Sequence, residues 1–430
     1  MNVYLDTVGC RLNQSEIETY ARQLRLAGHC LVASPQQADL VVLNTCAVTA
    51  EAASDSRQKA RQAARQGARQ IVLTGCWATL QPGEAANLPG ISQVIGNLEK
   101  DQLVAQVLQL APQAFDLQHA VRQPIPGARH RTRAFIKAQD GCNNRCTFCV
   151  TTIARGPSRS RSLSAVLADV EDALQGGTQE IVLTGVHLGS WGRDFAERQS
   201  LGQLVQSLLE KTSVPRLRLS SLEPWDIEEH FFDLWQDERL CPHLHLPLQS
   251  GSAATLRRMA RKTTPAAYAD LLKTARSAIP GLAVTTDIIV GFPGESEAEF
   301  EESLAFIQEM QFAGGHVFNY SARPSTAAAA MPDQVPQAVR KARSAQVRQV
   351  LAQAAQAYLV GFLDRNVNVL WESIEADGPG WALSGLTGNY LRVHTRLSGS
   401  DPAARWWNQI TPVRVTGHNP TGLLGQILTI

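Results

Sequence analysis

The stretch Phe135-Ile136-Lys137-Ala138-Gln139-Asp140-Gly141-Cys142-Asn143-Asn144-Arg145-Cys146-Thr147-Phe148-Cys149 joins a strand-like run to three cysteines within eight residues. Strand Phe135–Ala138 delivers the loop, and thiolates are the soft ligands that iron–sulfur clusters require. Three thiolates grip three irons of a cubane and leave the fourth open to an exogenous ligand. A structural zinc site wants a fourth Cys or His nearby. None lies close, since His130 is twelve residues upstream. Chance spacing or a zinc knuckle is the competing reading.

Downstream, strand candidates at Glu180–Val186, Arg216–Ser221, His243–Leu248, Val284–Gly291 and His316–Tyr320 alternate with helical stretches such as Leu163–Gly176, Leu201–Lys211, Pro265–Ala278 and Glu297–Gln311. With Phe135–Ala138 this makes six strand–helix units, the pattern of a barrel or part of one with its site at the carboxyl ends of the strands. A long Ala/Gln/Arg helix, Gln337 to about Leu359, closes the region. From Phe362 to Ile430 short β-like pieces (Val367–Glu372, Trp381–Gly385, Tyr390–Thr395, Ile410–Thr416, Gly425–Leu428) suit a small all-β barrel.

Upstream, Val3–Asp6, Leu40–Asn44 and Gln70–Thr74 read as buried parallel strands, with a helix over Glu51–Gly67 between two of them and Gly67 as its C-cap. Such units make a right-handed, doubly wound parallel sheet. Cys10, Cys46 and Cys76 each end one of these strands, and carboxyl ends of parallel strands share one edge, so a second three-thiolate site is expected there. Three buried core cysteines are the alternative. Cys30 and Cys241 read as structural. The expected units are 1–111, a Pro/Gly-bearing linker 112–127, a core 128–359 and a tail module 362–430.

The 430 residues, 44% hydrophobic and 18% charged, describe a globular chain of two or three units. The opening Met1–Asp6 lacks a basic segment followed by an apolar run, and no apolar stretch nears the ~20 residues that span a bilayer. A reducing, cytoplasmic location without membrane contact is expected, where eight cysteines serve metal or catalysis rather than disulfides. Net charge is +1, but nine Lys/Arg stand against the single acid Asp140 between Val121 and Ser162. That run brackets the cysteine loop and suggests a polyanionic partner rather than a merely solvated face.

The Cys-x3-Cys-x2-Cys loop with an aromatic before its last cysteine resembles the radical-SAM superfamily, and the whole chain resembles its methylthiotransferases. Matching stretches are Thr7-Val8-Gly9-Cys10-Arg11-Leu12-Asn13, Asn44-Thr45-Cys46-Ala47-Val48-Thr49, Arg155-Gly156-Pro157-Ser158-Arg159-Ser160-Arg161, Leu183–Gly189, Ser220–Pro224, His245–Ser252 and Asp287–Glu295. The first and third of these resemble the branch acting on threonylcarbamoyladenosine at tRNA position 37. Two departures stand out. Ser325 replaces the glycine of a Tyr-Ser-x-Arg-x-Gly-Thr stretch, and Thr79 replaces a polar amide after the third cysteine.

The resemblance implies a fold of an N-terminal doubly wound sheet, a (β/α)6-type partial barrel and a TRAM-like β module. It implies two 4Fe-4S clusters, an auxiliary one on Cys10, Cys46 and Cys76 and one on Cys142, Cys146 and Cys149 that chelates S-adenosylmethionine. One electron then yields a 5′-deoxyadenosyl radical, which takes hydrogen from carbon 2 of the adenine before a methylthio group is transferred. Phe148, Thr184, Gly185, Glu223, Gln249, Asp287 and Gly291 are expected to line the cofactor. Arg129, Arg131, Arg133, Arg155, Arg159 and Arg161 are expected to grip the anticodon stem-loop of tRNA. A flavodoxin or ferredoxin is the expected electron donor. His187, His243 and His245 read as packed histidines. Rival readings are an isopentenyladenosine or ribosomal-protein substrate, an electron carrier, and a non-catalytic iron–sulfur RNA-binding protein.

Overall fold

The computed structural model describes residues 1–111, 113–115, 120–127, 132–399 and 401–428. Strands β1 (Asn2–Thr7), β2 (Cys30–Leu31), β3 (Leu40–Thr45), β4 (Gln70–Gly75) and β5 (Ile91–Val94) form an all-parallel sheet in the order β2-β1-β3-β4-β5. Every residue of β3 is buried, which is why that strand reads as a continuous apolar run. Helix Arg11–Leu26 covers one face with Ile17, Tyr20 and Leu24, and helix Ala50–Arg65 covers the other with Ala60 and Ala63. Thr49 caps the second helix by accepting from the Ala52 amide, and Gly67 follows its end at φ +87°. The two-residue β2 and the edge strand β5 carry too little hydrophobic pattern to be read from sequence.

Strand order reverses between β1 and β3, the point at which doubly wound sheets place ligands. Cys10 and Cys46 follow those two strands.

The central region contains β6 (Arg133–Lys137), a two-strand ribbon of β7 (Gln139–Asp140) and β8 (Arg159–Ser160), then β9 (Glu180–Thr184), β10 (Arg216–Leu219), β11 (His243–His245), β12 (Ala283–Val290) and β13 (Gly314–Asn319). β6, β9 and β10 pair in parallel, as do β11, β12 and β13. Parallel bridges Leu217–Leu240 and Ser221–His245 join the two sets into one arc of six strands in chain order. Helices Leu163–Gln175, Leu201–Lys211, Pro265–Ala278 and Glu297–Met310 pack outside it, each started by a Ser or Thr cap. Ser200 with Gln203, and Ser296 with Glu299, close reciprocal capping boxes.

Helix Gln337–Val360 leads to β14 (Asn366–Asp377), β15 (Gly380–Thr387), β16 (Arg392–Ser398), β17 (Ile410–Asn419) and β18 (Gly422–Ile427), a closed barrel in the order β14-β15-β16-β18-β17. Val369, Trp371, Leu383, Val393, Val413, Val415 and Leu423 fill it. The barrel docks under the amino ends of the central strands. Arg216 donates to the Asn368 and Leu386 carbonyls at 2.7 and 3.0 Å, and Arg218 donates to the Gly388 carbonyl at 2.7 Å. Ser325 sits at φ +66°, so the loop keeps the glycine-like conformation and serine bears the strain. Among the described residues no helix is long and apolar enough to cross a membrane.

Arg218 and Glu180 form a buried pair at 2.7 Å, with side chains 0% and 1% exposed. Arg218→Met is expected to cost about 3 kcal/mol, because Glu180 loses its two short bonds and keeps Arg216 at 3.8 Å. The double variant Glu180→Gln/Arg218→Met should regain much of that loss, as thermal unfolding of the four proteins of the cycle would report.

Candidate functional site

The loop Cys142–Cys149 is pinned from three sides. Gly141 at φ +70° has no room for a side chain, because a Cβ there would strike the Pro157 carbonyl. The Cys142 amide donates to the Gly156 carbonyl at 3.0 Å, and the Thr147 amide donates to the Met259 carbonyl at 3.1 Å. Thr147 Oγ1 also donates to the Arg258 carbonyl at 2.8 Å. Each thiol has a distinct neighbour. The Asn144 amide is 3.4 Å from Cys142 Sγ, Arg261 Nη1 is 4.0 Å from Cys146 Sγ, and Thr152 Oγ1 is 3.6 Å from Cys149 Sγ. Arg261 is itself held by Glu223 at 2.7 Å and lies 4.4 Å over the Trp225 ring.

The second set converges at the carboxyl edge of the N-terminal sheet. Cys10 precedes helix Arg11–Leu26, Cys46 follows β3, and Cys76 opens a short helix directly after β4. Gly9 adopts φ +112°, and a Cβ there would stand 2.7 Å from Cys46 Sγ, so the backbone beside the sulfur admits only glycine. Burial pushes the Cys46 thiol up to about 11, with Cys10 and Cys76 adding to it. Burial likewise raises Cys146 to about 11 against the pull of Arg261. Thiols held so high ionise at neutral pH only when a cation takes the charge, which suits iron. Among the described residues no three His, Cys, Asp or Glu side chains converge on one ion. In a cubane each thiolate takes a different iron, so three thiols are enough to hold a cluster that keeps one iron open.

One element connects the triads. Helix Val150–Arg155 begins at its N-cap Cys149 and ends at Arg155, which interacts electrostatically with Cys10 and Cys76. Six residues of helix span roughly 9 Å. Asn97 Nδ2 donates to the Ala154 carbonyl at 2.8 Å and stands 3.7 Å from Cys76 Sγ. Arg155 donates to Glu16 at 3.1 Å, Asp140 at 2.9 Å and Asn13 at 2.7 Å. Lys100 reaches the same two carboxylates at 2.5 and 2.8 Å. Burial raises the Glu16 pKa, but Lys100 and Arg155 outweigh it and hold the carboxyl down to about 2. Its stabilising contribution is therefore full above the ordinary value of 4.5 and is lost as pH falls toward 2.

The residues expected to line a cofactor are scattered over the arc's carboxyl edge. Glu223 is paired with Arg261. Gln249 takes φ +73°, a conformation rare outside glycine. Asp287 faces His245 at 3.3 Å, and its buried Oδ1 has no hydrogen-bond partner among the described residues. Thr184 is buried at the end of β9 and bonds its own strand. Phe148 packs edge-on to Phe292 at 6.4 Å within a small apolar cluster. At Gly185 a Cβ would meet Gln139, and at Gly291 one would meet Arg340, so each position admits only glycine.

The arginines divide further. Arg155, read from sequence as a phosphate contact, is 1% exposed and spends its guanidinium on the interior network, so it has no surface to offer RNA. Arg133 is paired with Glu372 at 2.9 Å and Arg161 with Asp169 at 2.5 Å. Arg159 keeps 36% of its side chain exposed. Arg129 and Arg131 lie outside the described residues. Among the histidines, His187 bonds Asp226, and although burial lowers its pKa, Asp226 and Cys142 raise it to about 9. His243 and His245 both contact Thr285 Oγ1. Sequence reading missed Glu16, Asn97, Lys100 and Arg261, whose partners are remote in the chain.

A model of the Radical SAM superfamily matches residues 136–307, and one of an uncharacterized protein family, UPF0004, matches residues 2–96. The chain is 36% identical to the threonylcarbamoyladenosine tRNA methylthiotransferase MtaB of Bacillus subtilis, over 91% of this chain and 89% of that protein. It is equally identical to the Thermotoga maritima protein of the same name, over 79% and 80%. The tRNA-2-methylthio-N(6)-dimethylallyladenosine synthase of Acidothermus cellulolyticus is 33% identical over 99% and 88%. Among solved structures, the radical S-adenosylmethionine methyltransferase TsrM from Kitasatospora setae shares the fold, with TM-score 0.59 and 15% identity over 76% of this chain and 75% of that one.

Gly9→Ala is expected to drive its methyl group into Cys46 and to remove about half the iron from the reconstituted protein. Iron and sulfide analysis checks this, and full iron retention would refute a cluster at the N-terminal triad.

Proposed function

The chain belongs to the methylthiotransferase family of radical-SAM enzymes, and from that membership we propose that it converts threonylcarbamoyladenosine at position 37 of tRNA to the 2-methylthio derivative. The observation that carries the reading is the pair of cysteine triads, each at the carboxyl edge of its own parallel sheet and joined by helix Val150–Arg155. Curated relatives bearing the threonylcarbamoyladenosine name match at 33–36% identity with broad coverage, which favours that substrate.

In this reading residues 1–111, 128–359 and 362–430 are the three working units, with 112–127 as linker. Cys142, Cys146 and Cys149 hold one 4Fe-4S cluster, and Cys10, Cys46 and Cys76 hold the second. When bound, the clusters and S-adenosylmethionine supply the electron, the radical and the sulfur group of the reaction. The protein supplies position. Helix Val150–Arg155, roughly 9 Å long, links the two triads, and transfer between two sites and one base depends on such proximity. Glu223, Gln249 and Asp287 offer polar groups at the mouth of the arc, and Asp287 Oδ1 has no hydrogen-bond partner among the described residues. Arg261 orients Glu223 beside Cys146. Arg159 remains available for the phosphates of the anticodon stem-loop. A flavodoxin or ferredoxin in the cytoplasm serves as electron donor.

Mass spectrometry of nucleosides from bulk tRNA, with and without the gene, tests the substrate. Selective loss of methylthio-threonylcarbamoyladenosine, with its precursor accumulating, is expected. Loss of methylthio-isopentenyladenosine instead would keep the chemistry and overturn the substrate. The variant with Cys10, Cys46 and Cys76 all changed to Ala should still form 5′-deoxyadenosine anaerobically but transfer no methylthio group.

A further inference from the structure

Arg11 immediately follows Cys10, and its bonding differs from that of the other arginines in this interior. Arg155 is paired with Glu16 and Asp140, Arg133 with Glu372, Arg218 with Glu180 and Arg261 with Glu223. Arg11 has no carboxylate partner among the described residues. Its hydrogen bond goes to the neutral Tyr390 hydroxyl at 3.2 Å.

Tyr390 projects from the turn between β15 and β16 and adopts φ +67°, so the C-terminal barrel presents it against the local backbone preference. Its hydroxyl accepts from Arg133 at 2.9 Å as well as from Arg11, and its own proton has no acceptor among the described residues. Arg218 covers its ring at 3.9 Å, and His243 lies against it at 4.7 Å. Around this point Arg11, Arg133, Arg216, Arg218 and Arg392 share only two carboxylates, Glu180 and Glu372. The surplus positive charge and the free hydroxyl proton meet at this half-buried point, and Arg11, which contributes to both, is the chain neighbour of Cys10. Three donors with unspent capacity at a desolvated, net positive position describe an anion site.

We propose that Arg11, backed by the Tyr390 hydroxyl and Arg133, binds the carboxylate of the amino-acid group on the substrate base and so selects a threonylcarbamoyl substituent over an uncharged one. The inference rests on the function proposed above. Threonine linked through its nitrogen to the carbamoyl group keeps a free carboxylate, whereas a dimethylallyl group carries no charge. A guanidinium meets a carboxylate in a fork of two bonds, and a site built for that charge rejects an isostere that lacks it. Arg11 acts as a specificity-determining residue, and Tyr390 positions it.

The test uses the holoenzyme and two anticodon stem-loop RNAs, one with threonylcarbamoyladenosine and one whose threonine carboxylate is converted to the carboxamide. Wild type should prefer the carboxylate RNA roughly ten- to hundredfold in KM and in affinity measured by fluorescence anisotropy without S-adenosylmethionine. Arg11→Gln should abolish the preference with kcat and iron content nearly unchanged, and Arg11→Lys should keep part of it. If Arg11→Gln loses iron, Tyr390→Phe carries the test and should weaken the preference at full iron content. Retained preference in these variants, or equal loss on both RNAs, overturns the assignment. If wild type acts on neither RNA but modifies one bearing isopentenyladenosine, the proposed function itself falls, and this inference with it.

Discussion

Four buried charges hold this molecule together. Glu16 from the first helix, Lys100 from the end of the N-terminal sheet, Asp140 before the cysteine loop and Arg155 after it are each under 5% exposed and bonded to one another. Two cations and two anions balance, so no net charge is stranded in the interior. Removing any one would leave an uncompensated ion, which makes the arrangement close to all-or-none. An apolar interface of the same area would be as stable and less exacting. What the ionic network adds is one relative placement of the two sheets, because its bonds are short and directional while the next cations, Lys137 and Arg159, stand 3.9 Å from Glu16 and Asp140.

That placement matters because the two thiol triads belong to different sheets. Each triad is organised by its own strands, and nothing within either sheet fixes the distance between them. Helix Val150–Arg155 does so by starting on one triad and ending in the network beside the other. Arg22 reinforces the docking by reaching Asp169 and Asp172 on helix Leu163–Gln175 at 2.8 Å. Arg155 therefore has two uses for one guanidinium. It neutralises two buried carboxylates and sets a positive charge near Cys10 and Cys76.

The C-terminal barrel contributes to the interior as well as to the surface. Its β15–β16 turn fills the amino end of the central arc, where Arg216 and Arg218 take up its carbonyls and Tyr390 meets residues from both other units. Closing the floor of an open arc in this way shields Arg216 and Arg218 from water and strengthens their attraction to Glu180. The tail module is thus bonded directly to the central arc.

Much of the architecture could be read from the chain alone. The parallel strands, their helices, the six-unit arc and the closing β barrel follow from local periodicity and capping, which depend on neighbours a few residues away. Cys10, Cys46 and Cys76 could be expected to meet because carboxyl ends of parallel strands share one edge, whatever the loops between them. Other features needed the folded molecule. Arg155 lies in a basic run that reads as a phosphate grip, yet its partners Glu16 and Asp140 come from opposite sides of the interface and bury it. At Gly185 and Gly291 the folded chain brings Gln139 and Arg340 against the position a side chain would occupy. Arg11 looks like an ordinary helix-start residue until its hydrogen-bond partner among the described residues turns out to be Tyr390, far along the chain. The sequence by itself determined which groups each sheet edge would carry, since strand polarity is local. Tertiary structure alone decided which charges are spent on each other and which are left for a ligand, because desolvation and pairing depend on what packs against a side chain and not on its position in the chain.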